Sequence, residues 1–197
     1  MRVARELKST VTVVGVRDLD WYYHELPSSD PTVESGDSWI MVTLPCKELE
    51  NLFCDPSFLN RVYGEAIPES DLVRIVDEES NCDELVSEWC YQVRPRIRER
   101  LSNSIDLSTK ERTAEQTFLS WKNDAEKRRR LVAGKGLLRK VRHRIRQIYN
   151  KSFYPNRGFE KIETLTPDLY RIATSVFPQF DQANAAIIPL HSGSLKE

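Results

Sequence analysis

Apolar residues enter this chain in two rhythms: short unbroken runs over the first fifty positions, then recurrences at three- and four-residue steps from residue 67 onward. Residues 10–16, Thr-Val-Thr-Val-Val-Gly-Val, are β-branched and almost wholly apolar. Neither face alternates with polar residues, which predicts a buried strand, parallel and central in its sheet. Asp18 and Asp20 follow at its carboxyl end. Residues 27–37 are rich in Ser, Asp, Pro and Gly and predict a loop. Residues 39–44, Trp-Ile-Met-Val-Thr-Leu, predict a second strand that Pro45 closes. Within residues 47–54, Leu49, Leu52 and Phe53 suit a short helix. Asp55 and Pro56 then supply the N-cap and the first-turn proline of another.

The second rhythm predicts helices. Leu72, Ile75 and Val76 form one stripe, and Leu85, Val86, Trp89, Val93, Ile97 and Leu101 a second. Pro95 lacks a backbone donor and is expected to kink or split that second helix. Residues 109–132 are a further long amphipathic candidate, with Phe118, Trp121 and Ala125 inward. Leu137, Leu138, Val141, Ile145, Ile148 and Tyr149 line one side of a helix running to about Lys151. Thr166-Pro167 opens a last helix that Pro178 ends. Residues 181–197 are weakly patterned, as a loosely ordered tail would be.

Composition narrows the class. In 197 residues, 40% hydrophobic content is enough for one core, and 30% charged residues exclude a membrane protein. No apolar run approaches the roughly 18 residues of a membrane helix. Met1-Arg-Val-Ala-Arg-Glu has no apolar stretch behind its charges and does not match a secretory signal. The four cysteines (Cys46, Cys54, Cys82, Cys90) match no common zinc spacing and are expected to be reduced, mostly buried thiols of a cytoplasmic protein. The net charge of −1 conceals a segregation. Residues 65–88 hold nine acids against one base, Arg74, whereas residues 127–157 hold twelve bases and no acid. Separated blocks predict two surfaces with different partners, or an acidic face lying on a basic one.

Alternate residues of an extended segment point the same way, so Asp18 and Asp20 can converge on one hard cation such as magnesium. The carboxyl end of a strand is also where open α/β sheets place their sites. Two solvated loop aspartates are the plain alternative. Further along come Glu48-Leu49-Glu50-Asn51-Leu52 after the second strand, and Gly134-Lys135-Gly136-Leu137-Leu138 at a helix start. With these three motifs in order, the chain resembles the Toprim-type domain of OLD-like nucleases, in the branch found beside ABC-type ATPases in phage-defence operons. The resemblance implies an α/β fold: a small Toprim-like parallel sheet with a large helical insertion and a helical C-terminal part. Residues 1–66 and part of 131–180 would form the core, and residues 67–130 the insertion. It also implies a Mg2+- or Mn2+-dependent phosphodiester nuclease in which Asp18, Asp20 and Glu50 hold the metal, with Glu48 as the substitute for Glu50. For Glu48 and Glu50 the alternative is a solvated helix start, which favours acids. Toprim domains carry an earlier strand ending in a glutamate. About ten residues precede the Asp-x-Asp strand here, and Glu6 does not match that motif. Within the family the chain is therefore expected to be an N-terminally shortened member or a fragment, its site incomplete.

Gly134-Lys135 is not a Walker A motif. It predicts either a helix N-terminus with Lys135 offered to a phosphate, or a hinge between helices. Arg139, Lys140, Arg142, Arg144 and Arg146 surround the apolar stripe, and a surface of that kind neutralises phosphates without reading sequence. Its alternative is pairing with the acidic block. The expected function is a nuclease acting on DNA or RNA, tRNA included, as a defence effector with an ABC-type ATPase partner. A homodimer is one assembly open to it, and no membrane contact is expected. The alternative is a non-catalytic nucleic-acid-binding or protein-interaction subunit, or an adaptor whose acidic and basic blocks pair internally.

Overall fold

The computed structural model describes residues 13–17, 19, 32–36 and 39–151. Strand β1 (Val13–Arg17) pairs in parallel with β3 (Trp39–Thr43), Val13 opposite Trp39 and Arg17 opposite Thr43. Strand β2 (Thr32–Gly36) pairs antiparallel on the other side of β3, Thr32 opposite Thr43 and Gly36 opposite Trp39. The order is β1-β3-β2, so β3 is central and β1 lies at an edge among the described residues, not in the middle as expected. β2 falls in the segment expected to be a loop. The antiparallel register sets Thr32 and Val33 opposite Thr43 and Val42 on the side of β3 that β1 leaves open.

Helices follow. A 3-10 turn (Leu49–Cys54) leads into α1 (Pro56–Tyr63), α2 (Glu69–Ser80), α3 (Asp83–Arg100), α4 (Leu107–Asn123), α5 (Ala125–Leu131) and α6 (Gly134–Tyr149). Asp55 caps α1, its carboxylate accepting from the N–H groups of Ser57 and Phe58 at 2.8 and 3.4 Å. α6 ends at Asn150, whose left-handed backbone closes the last turn.

The main core is helix against helix. Phe58, Leu72, Ile75, Trp89, Leu137 and Ile145 are fully buried in one cluster whose members all lie in helices or the turns between them. Trp89 and Phe118 meet edge to face at 5.0 Å, fixing α3 against α4. The Toprim-like α/β fold with a parallel sheet is therefore corrected. The described body is mostly helical, and its three five-residue strands form a small mixed sheet, with β1 parallel and β2 antiparallel to β3. The physical reason lies in the second rhythm. Apolar residues at helical spacing on α2, α3, α4 and α6 meet in one buried cluster.

Two further expectations change. α3 continues through Pro95 as one helix. Pro95 and Tyr91 both lie on the exposed side, so water serves the carbonyl that loses its donor. The long helix expected over residues 109–132 breaks at Asp124, whose carboxylate turns to accept from the N–H groups of Glu126 and Lys127, both at 3.1 Å. The helix predicted from Thr166 lies outside the described residues, as does the tail. Among the described residues, no helix is long and apolar enough to cross a membrane.

Candidate nucleic-acid interface

Two of the sequence motifs meet. The N–H of Glu48 donates to Oδ1 of Asn51 at 2.9 Å, while Nδ2 of Asn51 donates to the carbonyls of Arg129 and Val132 at 2.7 and 3.0 Å. Oε2 of Glu48 accepts from the N–H of Lys135 at 2.8 Å. A Cβ placed on Gly134 would stand 2.6 Å from Oδ1 of Asn51, so only glycine permits this approach. The buried amide thus fastens the Leu49–Cys54 turn to the α5–α6 connection, and the Glu48 carboxylate fills the start of α6. Of the two readings open to this segment, a phosphate site or a hinge, the phosphate site would need this positive helix end free, and an internal anion caps it.

Of the expected metal set, Asp18 and Asp20 lie outside the described residues. Glu50 is half-buried in the first turn of Leu49–Cys54. Among the described residues, no three His, Cys, Asp or Glu side chains come together in a way that could hold an ion. The described residues therefore do not by themselves fit a magnesium centre. All four cysteines are free thiols, with Cys46 and Cys54 buried and the other two half-buried. Burial pushes the Cys54 thiol well up from its ordinary value, and Glu50 and Asp55 add to this, so it is a poor nucleophile.

The basic residues divide. On α5 they turn inward or find local acids. Arg128 is buried, donating through Nε to Oγ of Ser80 at 3.2 Å and through a terminal nitrogen to the Lys122 carbonyl at 2.6 Å. Lys127 pairs with Asp124 at 3.0 Å, Arg129 with Asp77 at 3.7 Å and Arg130 with Glu126 at 2.6 Å. Lys47, which no sequence pattern singled out, is also buried. Its ammonium donates to Gln92 at 3.1 Å and reaches Glu88 at 3.5 Å.

On α6 the arrangement differs. At 3.6 residues per turn, Lys135, Arg139, Arg142 and Arg146 fall in one row along a flank of the helix, with Lys140 and Arg144 beyond the outer face. The apolar stripe at Leu137, Leu138, Val141 and Ile145 is buried, which turns this row away from the core. Lys135, Arg139 and Arg146 are exposed, while Lys140, Arg142 and Arg144 are half-buried. Glu84, in the first turn of α3, is the acid opposite: 2.7 Å from Nζ of Lys140 and 3.6 Å from the Arg139 guanidinium. The hydrogen bond from Lys140 holds the Glu84 carboxyl below its ordinary value and raises that of Lys140. Among the described residues, Lys135, Arg144 and Arg146 make no ion pair, so the acidic block masks this helix only in part. Comparison with protein-family models, with curated proteins and with solved structures finds no match to this chain, and the reading of the site rests on its geometry.

Proposed function

We propose that the chain is a non-catalytic nucleic-acid-binding subunit whose contact surface is the basic flank of α6. The row of Lys135, Arg139, Arg142 and Arg146 carries this reading. At 1.5 Å per residue it extends about 16 Å, long enough to meet several phosphates of one strand. Long cations without an accompanying array of amide or carboxylate side chains supply affinity and register, not base readout. Binding of a labelled DNA or RNA duplex should therefore weaken steeply with salt and depend little on sequence. Replacing Lys135 and Arg146 with alanine should weaken it about equally for every sequence. A preference for one sequence that survives in that double variant would overturn the reading.

Two backbone hydrogen bonds favour a second reading, cleavage as a phage-defence effector beside an ABC-type ATPase. The N–H of Leu19 donates to the Cys46 carbonyl at 3.0 Å, and that of Leu44 to the Arg17 carbonyl at 2.9 Å. The backbone between the two aspartates thus runs beside the segment leading to Glu50. A Mg2+ or Mn2+ ion in this reading would be held by Asp18, Asp20 and Glu50. Metal-dependent cleavage that vanishes in Asp18→Ala plus Asp20→Ala would establish it, whereas a binding subunit keeps its affinity in that variant and cleaves in neither form.

A further inference from the structure

Resting on that nucleic-acid reading, we infer that Glu84 is a specificity-determining residue of the α6 surface. It is an internal carboxylate that occupies Lys140 and Arg139 until a polyanion with closely spaced phosphates replaces it. The placement of Glu84 does not depend on its ion pairs. Its neighbour Leu85 is buried against α6 at Gly136, where a Cβ would stand only 2.8 Å from the leucine Cδ2. The first turn of α3 is thereby seated on α6 by packing, and Glu84 is carried to the two cations at high effective concentration. The contact is open to solvent, with the Glu84 side chain 62% exposed, so a ligand can displace it without unpacking the core.

The consequence is a filter on charge density. A lone phosphate competing for Lys140 must displace a tethered carboxylate and gains one contact for one lost. A nucleic-acid strand that reaches Arg139 also meets Lys135 and Arg146 of the same row, which make no ion pair among the described residues, and so exchanges one internal contact for several. The site thus rejects isolated anions and takes contiguous phosphates.

Three proteins decide the matter: the parent, Glu84→Gln and Asp83→Asn. Asp83 lies in the same first turn and makes no ion pair among the described residues, so its variant removes the same charge without touching α6. Each is titrated with a DNA duplex of about 20 base pairs over a salt series, and with inorganic phosphate as competitor. Glu84→Gln should bind the duplex more tightly. Its salt slope should steepen by about 0.9 for each cation freed, and inorganic phosphate should become an effective competitor. Asp83→Asn should match the parent. A parent that binds with a steep slope, and a Glu84→Gln variant with the same affinity and slope, would overturn the role of Glu84 while leaving the nucleic-acid reading intact. Equal gains in both variants would also overturn it, because net charge and not the contact would be responsible. Binding by neither the parent nor Glu84→Gln would remove both readings together.

Discussion

The stretches Lys127 to Arg130 and Lys135 to Arg146 look alike as sequence, each crowded with bases and free of acids, yet the fold uses them in opposite ways. On α5 the guanidinium of Arg128 is a buried tie to Ser80 and to the Lys122 carbonyl, and its neighbours are neutralised by Asp77, Asp124 and Glu126. On α6 the bases flank an apolar stripe that is buried in the core, and Glu84 reaches Arg139 and Lys140. The difference teaches that a charge run carries no function by itself. What matters is which side of its helix the apolar residues claim, and which acids the packing brings within about 4 Å.

Breaking the inward half should cost the most stability. Arg128→Ala removes two hydrogen bonds from a buried charged group and leaves the Lys122 carbonyl unserved, so urea unfolding should show a loss of about 2–4 kcal/mol. Asn51→Ala removes the donor of one buried and one partly buried carbonyl and should cost about 1–3 kcal/mol. Gly134→Ala should fall in a similar range, because its methyl group is forced against the same amide. If either Asn51→Ala or Gly134→Ala unfolds like the parent, the Glu48–Asn51 clamp is not what joins α6 to the Leu49–Cys54 turn.

The outward half should respond the other way. Lys135→Ala with Arg146→Ala changes exposed side chains only, so stability should stay within about 0.5 kcal/mol of the parent while nucleic-acid affinity falls. A loss of stability as large as that of Arg128→Ala would erase the distinction between the two helices.

The smallest expected effect concerns acid. The folded state lowers the Glu84 carboxyl below its ordinary value of 4.5, chiefly through Lys140, so the contact stabilises the fold above that pH. Its contribution is lost as pH falls through the lower folded-state value. A thermal-melt comparison of the parent and Glu84→Gln should show a slight difference near neutrality that closes on acidification. A gap that widens in acid would contradict the assignment.

Much of the helical body was legible in the sequence. Leu137, Leu138, Val141 and Ile145 recur at three- and four-residue steps that a helix, and not a strand, gathers on one face, and Asp55-Pro56 carries its capping chemistry locally. The strands were harder. Whether a run such as residues 10–16 lies central or at an edge depends on what pairs beside it, and Thr32-Val33 is strand because it pairs with Thr43 and Val42 of β3. The break at Asp124 was present as an aspartate able to cap a helix, but the apolar period ran across it. At the candidate site, the stripe on α6 foretold that bases would face outward. Nothing local foretold that Glu48, 87 residues before Lys135, would cap that helix, or that Leu85 packing on Gly136 would bring Glu84 to Lys140. Long-range partners of this kind are set by the packing of helices, to which single-residue patterns are blind.

The most direct test of the account is the salt dependence of DNA-duplex binding by the parent chain, with Lys135→Ala plus Arg146→Ala measured alongside. The account predicts that log affinity falls linearly with log salt, and that the double variant flattens the slope by about 1.8, or 0.9 for each lost phosphate contact. A parent whose affinity is insensitive to salt, or a double variant with the parent's slope, would contradict it.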